Sequence, residues 1–333
     1  MTLSGGTRRT FSPGVYCPLI TPFNEVTGDV DLEAFKTQIV RLAKAGIGLV
    51  LHGTNGEAGH LSNEERIIMV EAAREALDDN DLNDVPLLVG TGLGSARETI
   101  ALTKLVAKAG ADAVIVIPPG YFAFAIGKDS NAIKDFFFQI FEASPVPVMI
   151  YNFPAAAAGI DLNSDLLIEL SEHPNNFGVK LTCAGIGKGH RVAQYTASES
   201  YIARHPFKQQ YLVLPGFSDY LFSAMAAKQN GCITGTGNVF PKLIVALFKA
   251  ATEFFKNPTA EGYAKVTELQ SIVTEADWII VKVGISGTKY ALNQYIQPKL
   301  GGVTRTPLPP VTEESKRMVD ECLAEAFSIE KSL

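Results

Sequence analysis

Residues 85–119, VPLLVGTGLGSARETIALTKLVAKAGADAVIVIPP, contain one complete strand–helix–strand unit. The runs VPLLVGT (85–91) and AVIVIPP (113–119) are apolar and of strand length, and the residues between them have the spacing of an amphipathic helix. This order of elements predicts two parallel strands joined by a crossover helix. The stretch therefore predicts an α/β fold built on a parallel sheet.

The same unit recurs along the first two thirds of the chain. Eight apolar runs have strand character: GVYCPLI (14–20), IGLVLHG (47–53), VPLLVGT (85–91), AVIVIPP (113–119), VPVMIYN (146–152), FGVKLTC (177–183), YLVLPGF (211–217) and GCITGTG (231–237). Eight repeats favour a closed (β/α)8 TIM barrel over an open doubly wound sheet.

Several helix starts between these strands carry capping residues. Asp31 precedes one helical stretch, and Ser62 and Ser95 each have a glutamate three residues later, the spacing of a capping box. Ser218 is predicted to cap the helix in DYLFSAMAAKQNG. Strand signals stop near residue 240, which predicts a barrel over residues 1–245 and a C-terminal helical extension packed on it over 246–333.

Composition and charge exclude several classes of protein. The 333 residues carry 29 Lys and Arg against 35 Asp and Glu, a formal net charge of −6, with no basic cluster. We therefore expect no nucleic-acid and no membrane partner. No apolar run is long enough to span a bilayer. The start, MTLSGGTRRTFSPG, lacks the apolar core of a secretory signal and is short for a transit peptide, so a cytoplasmic location is expected.

Metal and dinucleotide sites are not expected. The four cysteines form no C-x-x-C pair and are interpreted as reduced structural thiols, and the five histidines have no carboxylate partner at ligand spacing. GTGLGS (90–95) departs from the dinucleotide fingerprint, and the next strand ends in two prolines instead of an acidic residue.

Lys180 stands in the middle of the apolar run FGVKLTC. Side chains alternate along a strand, so if Val179 and Leu181 face the helices, Lys180 points into the barrel. A buried ammonium is costly unless it is paired, and the usual escape is a lowered pKa. The resulting neutral amine is a nucleophile that can form a Schiff base with a ketone.

Other interpretations of Lys180 remain open from spacing alone. It could belong to a structural ion pair or lie at the rim of the barrel. Lys282 and Lys289 are rival nucleophiles in partly apolar sequence, but their segment is predicted to be helical, where a lysine side chain reaches solvent easily.

The ends of the other strands offer polar groups at the edge where barrel active sites lie. HGTNGE (52–57) is a glycine-rich turn whose Gly53, Thr54 and Asn55 could hold a carboxylate through backbone N–H groups, or could form an ordinary turn. Tyr151 and Tyr121 are candidate acid/base hydroxyls or simple rim residues. His60 is the histidine expected to border the site, with a helix-terminal surface position as the alternative.

Together these segments resemble the dihydrodipicolinate synthase/N-acetylneuraminate lyase family of class I aldolases over nearly the whole chain. The matching segments, in chain order, are GTNGEAGHLSNEER, GTGLGSARETIALTKLVAKAGADAVIVIPPGYF, YNFP, GVKLT, GCITGTGNVFP and PLPPVTEE. Each motif alone is weakly specific. Their common order, with the lysine on the sixth strand, is strong evidence of the resemblance.

The resemblance implies a role for each candidate residue. Lys180 would form an imine with a 2-oxo acid, normally pyruvate, so that no separate cofactor is needed. Tyr151, helped by Thr54, would relay protons, and Tyr121 would reach into a neighbouring subunit. The residues implied to bind substrate are Gly53, Thr54, Asn55, Gly216 and Ile233, with His60 near the variable part. The family also implies a homo-oligomer, a dimer of dimers.

Two departures bear on the substrate. Dihydrodipicolinate synthases carry an arginine shortly after Y-N-x-P, and YNFPAAAAGID has none; they also have two hydroxyl residues where this chain has Thr54-Asn55. The asparagine form resembles the fungal 2-keto-3-deoxy sugar acid and 4-hydroxy-2-oxoglutarate aldolases. A 4-hydroxy-2-oxo acid lyase is therefore preferred. The alternatives are dihydrodipicolinate synthase, a dehydratase or decarboxylase, and a non-catalytic 2-oxo acid sensor, against which the Lys180–Tyr151 pair argues.

Overall fold

The computed structural model describes residues 9–206 and 208–333. Eight parallel strands pair in the order β7-β6-β5-β4-β3-β2-β1-β8. They are β1 (Gly14–Pro18), β2 (Gly48–Leu51), β3 (Leu87–Gly90), β4 (Ala113–Val116), β5 (Val148–Asn152), β6 (Asn176–Leu181), β7 (Leu212–Pro215) and β8 (Gly231–Ile233). Seven of them lie within the predicted runs, and β6 begins one residue before its run, at Asn176.

Strands β7 and β8 close the circle through one asparagine. The backbone N–H of Asn230, directly before β8, donates to the Val213 carbonyl at 2.9 Å, and the Asn230 Oδ1 accepts from the Val213 N–H at 2.8 Å. The predicted (β/α)8 TIM barrel is confirmed.

Helices alternate with the strands and continue after the last one. The helices between successive strands are α1 (Leu32–Lys44), α2 (Asn63–Asp78), α3 (Ala96–Ala109), α4 (Ala123–Ile126), α5 (Ser130–Ala143), α6 (Ser164–Ser171), α7 (Ile186–Thr196), α8 (Glu199–Arg204) and α9 (Leu221–Ala226). Helix α10 (Pro241–Lys256) follows β8. The C-terminal helices are α11 (Ala260–Ala291), which breaks at Gly284 with φ +63°, α12 (Glu313–Cys322) and α13 (Ala324–Ser332).

Three predicted caps are present and one prediction is wrong. Asp31 accepts from the Ala34 N–H, Ser62 forms a full capping box with Glu65, and Ser95 accepts from the N–H three residues on. Ser218 does not cap α9, which begins at Leu221 after Tyr220. Its hydroxyl is fully buried and donates instead to the Asp277 carboxylate of α11 at 3.0 Å, so it is not available to cap α9.

Apolar side chains form two layers. The strand residues that point outward, such as Val179 and Leu181, pack under the helices in the main core. The residues that point inward form a separate cluster inside the barrel, and Phe11 closes its amino-terminal end against Phe177, with ring centroids 5.2 Å apart. This filled lower half leaves the carboxyl-terminal end of the barrel interior open for a site.

The C-terminal helices pack on the barrel. Phe327 of α13 lies 4.8 Å from the Phe240 ring, and Glu330 accepts from the backbone N–H groups of Lys242 and Leu243 at the start of α10. Helix α10 runs across the predicted division at 245/246, and that division stays a prediction. None of the helices in the two described ranges combines the length and apolar character needed to cross a bilayer. The predicted absence of a leader concerns mainly residues 1–8, which lie outside the described residues.

Candidate active site

Lys180 lies inside the barrel near the carboxyl end of β6, beside Tyr151 on β5. Only 5% of its surface is exposed, and its Nζ is 4.4 Å from the centre of the Tyr151 ring. In the part of the chain that the structure describes, no side chain or carbonyl lies within hydrogen-bond or ion-pair distance of this Nζ. The structural ion pair and the solvent-exposed rim position are therefore both wrong, and the lysine head group faces cavity space.

Tyr151 and Thr54 bring two hydroxyl groups together beside this lysine. Tyr151 is 8% exposed, and its ring stacks on Phe153 with centroids 5.8 Å apart. The distance between the Tyr151 hydroxyl and Thr54 Oγ1 is 3.4 Å, longer than a good O–H···O bond. Such contacts often tighten when a substrate is bound, so the pair is placed to pass a proton.

The turn after β2 is held in an unusual backbone conformation. His52 and Glu57, at its two ends, have φ of +54° and +52°. A Cβ at Gly56 would lie 2.9 Å from the Leu19 carbonyl oxygen, so glycine is required there for close packing against the residue that follows β1. The turn thereby carries Thr54 and Asn55 to the open end of the barrel.

One cavity, the α11-side cavity, lies between this turn, β6 and helix α11. Its volume is about 200 Å³, and its lining includes Thr54, Asn55, Tyr151, Lys180, Gly216 and Thr234. A Cβ at Gly216 would lie 2.1 Å from Thr182 Oγ1, so only glycine lets the backbone after β7 come this close to β6. A small, largely apolar cavity with a few hydroxyl and amide groups around an amine suits a short oxo acid.

A second cavity, the β3-side cavity, shares Thr54, Tyr151 and Lys180 with the first. It is larger, about 410 Å³, and extends past Gly53 and His60 toward the ends of β3 and β4. Leu93, Ile115 and Ile117 give it an apolar side. Lys180 thus stands where the two spaces meet.

Two residues assigned to the site from the sequence lie elsewhere. Tyr121 is 83% exposed, packs edge-on against Phe122 and lines neither cavity. Its predicted role involves a neighbouring subunit and stays a prediction. Ile233 is fully buried in the cluster inside the barrel, and its predicted backbone contact with substrate stays a prediction as well.

The expectation that Lys289 reaches solvent is wrong. Lys289 is 2% exposed, and its Nζ donates at 2.6 Å to each of three oxygens: the Glu57 carboxylate and the carbonyls of Thr21 and Val303. Burial lowers the pKa of Lys289 to about 8, although Glu57 opposes the shift. The segment at Val303 folds back over the helix and closes the path to solvent. Lys282 is exposed, as expected, and lies over the Trp278 ring.

Asp277 on α11 is a site residue that the sequence reading missed. Its fully buried carboxylate accepts from Thr234 Oγ1 at 2.9 Å, from Thr236 Oγ1, and from both the hydroxyl and N–H of Ser218. Burial raises the pKa of this carboxyl, and the hydroxyl donors oppose the rise. Asp277 thus ties the loops after β7 and β8 to α11. The signal in the sequence was its helical spacing from Val273 and Ile280, which places a carboxylate on the apolar face of the helix.

The chemistry that this arrangement supports is covalent catalysis by an amine. A buried lysine that has no partner in the described part of the chain, a nearby tyrosine hydroxyl and a turn of backbone N–H groups are the parts that imine formation with an oxo acid requires. Among the described residues, no group of three or more His, Cys, Asp or Glu converges as a metal site would require.

Comparisons with known proteins agree with this picture. Residues 12–326 match the model of the Dihydrodipicolinate synthetase family. The chain is 36% identical to the L-threo-3-deoxy-hexylosonate aldolase of Aspergillus niger, covering 96% of this chain and 97% of that one. It is 37% identical to the probable mitochondrial 4-hydroxy-2-oxoglutarate aldolase of Emericella nidulans, covering 98% of each. Among solved structures it resembles YagE, a prophage protein of the dihydrodipicolinic acid synthase family from E. coli K12 in complex with pyruvate, with TM-score 0.80, 27% identity and coverage of 94% of this chain and 98% of that one.

Proposed function

This chain belongs to the dihydrodipicolinate synthetase family, and we propose that within it the chain is a carbon–carbon lyase that cleaves a 4-hydroxy-2-oxo acid to pyruvate and an aldehyde. The relatives named above are aldolases for a 3-deoxy-hexylosonate and for 4-hydroxy-2-oxoglutarate, two substrates of this class. The observation that carries the proposal is the buried Lys180 amine, which has no hydrogen-bond or ion-pair partner among the described residues and lies beside Tyr151 and Thr54.

The reaction begins with attack of the Lys180 amine on C2 of the 2-oxo acid. Tyr151 supplies the proton that turns the carbonyl oxygen into a hydroxyl and then assists its loss as water, which leaves an imine. Thr54 lies beside the Tyr151 hydroxyl and passes the proton on. The α11-side cavity holds the carboxylate against Asn55 and the N–H groups of its turn, with Gly216 opposite.

Carbon–carbon cleavage follows from the imine. Tyr151, as base, takes the proton of the C4 hydroxyl, the bond between C3 and C4 breaks, and its electron pair moves into the iminium to give an enamine. The aldehyde leaves from the β3-side cavity. The enamine is then protonated at C3 and hydrolysed, which releases pyruvate and restores Lys180. No separate cofactor is part of the proposed reaction.

The stretch after Tyr151 favours this reaction over dihydrodipicolinate synthesis. Residues Pro154–Ala156 form a short 3-10 helix, and Ala156 lines the β3-side cavity. By the resemblance described above, dihydrodipicolinate synthases carry an arginine after Y-N-x-P that binds the carboxylate of the second substrate. Alanines at these positions leave an incoming semialdehyde without that partner.

Assembly and compartment belong to the same proposal. A dimer of dimers would bury the exposed aromatic residues Tyr121, Phe122 and Phe124, and would let Tyr121 reach a neighbouring site. The proposal of a cytoplasmic location rests on the four cysteines, which are free thiols and suit a reducing compartment. The Emericella nidulans relative is named as mitochondrial, so fractionation of the native protein decides between the two compartments.

Trapping with borohydride tests the proposed chemistry. The protein is incubated with pyruvate and borohydride and then weighed by mass spectrometry; we expect one reduced adduct per chain. Lys180→Ala should form none, whereas the control Lys282→Ala, at an exposed rival lysine, should form the adduct as the native protein does. An adduct that persists in Lys180→Ala would refute the assignment. Faster turnover of pyruvate plus aspartate semialdehyde than of 2-keto-3-deoxy sugar acids would refute the substrate class.

A further inference from the structure

A short segment between the end of α11 and α12 lies at the open end of the barrel beside the candidate site. Residues 303–309, called the strap below, overlap the PLPPVTEE motif, to which the proposed reaction gives no role. Leu308 of the strap is half-buried and lines the β3-side cavity together with Gly53, Tyr151 and Lys180. The strap is therefore part of the wall around the space proposed to hold the aldehyde half of the substrate.

The Arg305 side chain fixes the strap to the rest of the chain. Its Nη1 donates to the His60 carbonyl at 2.7 Å and to Glu65 Oε2 at 3.0 Å, and its Nε donates to the Gly28 carbonyl at 3.0 Å. The guanidinium carbon lies 4.0 Å from the centre of the buried Phe23 ring. A planar guanidinium makes these bonds and the stacking contact at the same time, whereas a lysine ammonium lacks both the fork of donors and the flat face.

The backbone of the strap is tied to the turn after β2 and to α11. The Arg305 N–H donates to Glu57 Oε2 at 3.0 Å, and the Val303 carbonyl accepts from Lys289 Nζ at 2.6 Å. The Leu308 N–H donates back to the Arg305 carbonyl at 3.0 Å, which closes a tight turn. Because only two residues separate Arg305 from Leu308 within this turn, the place of the Leu308 side chain follows from that of Arg305.

Leu308 extends the apolar side of the β3-side cavity with a residue from outside the barrel. Leu93, Ile115 and Ile117 belong to β4 or follow β3 and β4, so the sheet sets their positions. Leu308 depends instead on the bonds of the strap. A difference of one methylene between a substrate and its pocket changes discrimination by about 10–200-fold, so a leucine in this wall is large enough to decide which tails fit.

We propose that Leu308 determines how long an aldehyde half the protein accepts, and that Arg305 is the positioning residue that holds Leu308 in the cavity wall. The proposal rests on the lyase function above and concerns the length of the tail, whichever groups the tail carries. In the described chain Leu308 lines the β3-side cavity and lies outside the lining of the α11-side cavity. Changes at Leu308 should therefore act on the tail and leave the reaction of Lys180 with pyruvate intact.

The test measures cleavage of a series of 4-hydroxy-2-oxo acids that have unbranched alkyl tails and five to ten carbons in all. Pyruvate release is measured by chromatography, and the readout is the length limit, the chain length beyond which kcat/KM falls steeply. The ratio of kcat/KM between two chain lengths is independent of the fraction of folded protein. The variants are Leu308→Ala, Leu308→Phe, Arg305→Lys and the double variant Arg305→Lys with Leu308→Ala. Val303→Ala is the matched control, because Val303 is an exposed residue of the same strap that lies outside both cavity linings in the described chain.

We expect Leu308→Ala to move the length limit to longer tails and Leu308→Phe to move it to shorter ones. Each should change the ratio of kcat/KM between the two acids on either side of the native limit by about tenfold. Arg305→Lys should move the limit in the same direction as Leu308→Ala, and the double variant should move it little further, because both changes act on one contact. Val303→Ala should keep the native limit.

An unchanged limit in both Leu308 variants, or a native protein without a limit in this series, would overturn the role of Leu308. If Arg305→Lys lowers kcat/KM equally for every tail and leaves the limit in place, Arg305 supports the fold only and does not position Leu308. Borohydride trapping with pyruvate separates the two proposals. A native protein that forms no adduct refutes the lyase function, whereas an adduct in every variant together with an unmoved limit refutes the role of the strap alone.

Discussion

Replacement of Lys289 by methionine tests whether the buried ion pair behind the site holds the structure together. Glu57 and Lys289 have side chains that are 0% and 2% exposed, with Oε1 and Nζ 2.6 Å apart. Methionine fills nearly the same space but leaves the Glu57 carboxylate buried without its cation, and leaves the carbonyls of Thr21 and Val303 without their donor.

The magnitude follows from the orphaned charge. Breaking a buried ion pair by removing one partner costs about 3–5 kcal/mol. The unfolding entropy of about 2.1 cal/mol/K per residue corresponds to about 0.7 kcal/mol/K for 333 residues, so Tm should fall by about 4–7 °C. The backbone N–H of Arg305 and the ring of His60 also contact Glu57, so we expect the loss of stability to lie near the lower end of this range.

Denaturant unfolding and thermal melting followed by circular dichroism measure this loss. Lys282→Met is the matched control, because Lys282 lies on the same helix but is exposed, and its change should stay within about 0.5 kcal/mol. The double variant Glu57→Gln with Lys289→Met removes the orphaned charge and should be more stable than Lys289→Met alone. If Lys289→Met is as stable as the native protein, or if the double variant is less stable than Lys289→Met, the ion pair is not the source of the stability.

Three further perturbations address the relay, the electrostatics and the packing of the site. Tyr151→Phe should lower kcat for retro-aldol cleavage by about 10²–10⁴-fold while pyruvate can still be trapped with borohydride, and an unchanged kcat would remove Tyr151 from the relay. Burial and the Asp277 carboxylate raise the pKa of Asp219 from 3.8 to about 6, so the folded protein binds this proton more tightly than the unfolded chain does. The protonated carboxyl therefore stabilises the fold below pH 3.8, and this stabilisation is lost as the pH rises through 6. Asp219→Asn should therefore stabilise the protein at pH 7–8 and give little gain in stability near pH 4. The pKa shift corresponds to about 3 kcal/mol, and because Asp219 is only half-buried we expect a gain of about 1 kcal/mol. Measuring the free energy of unfolding at both pH values checks the sign. Gly216→Ala should destabilise by about 1–3 kcal/mol, because its Cβ would meet a neighbouring hydroxyl at 2.1 Å, whereas Gly94→Ala, with nothing within 4 Å, should not.

Local sequence patterns predicted the barrel because each strand and helix is encoded over a few residues. The apolar runs located all eight strands, and the caps at Ser62 and Ser95 fixed two helix starts. The runs are longer than the strands, and the difference has a physical cause. Residues such as Gly53 and Ile117, at the ends of the runs, leave the hydrogen-bonded ladder and line the β3-side cavity instead.

Interactions between distant segments were beyond the reach of these patterns. Ser218 had the sequence of a helix cap, but Asp277, far along the chain, takes its hydroxyl. His52 was noticed only as the first residue of a turn, because spacing does not show whether a ring nitrogen finds a partner. The free energy that such contacts contribute depends on tertiary packing, and the sequence near each residue does not contain that information.

The two buried lysines show why partners matter more than burial in assigning a catalytic amine. Lys289 and Lys180 are almost equally buried, at 2% and 5% exposed. Lys289 donates to three oxygens, one of them the Glu57 carboxylate, and a nitrogen that donates three N–H bonds is an ammonium without a lone pair for attack on a substrate. Lys180 faces an aromatic ring and cavity space, and no hydrogen bond or ion pair in the described chain offsets its cost of burial. A buried amine that the fold leaves without a hydrogen-bond or ion-pair partner gives up no such bond when it reacts, and that difference supports our proposal that the chemistry takes place at Lys180.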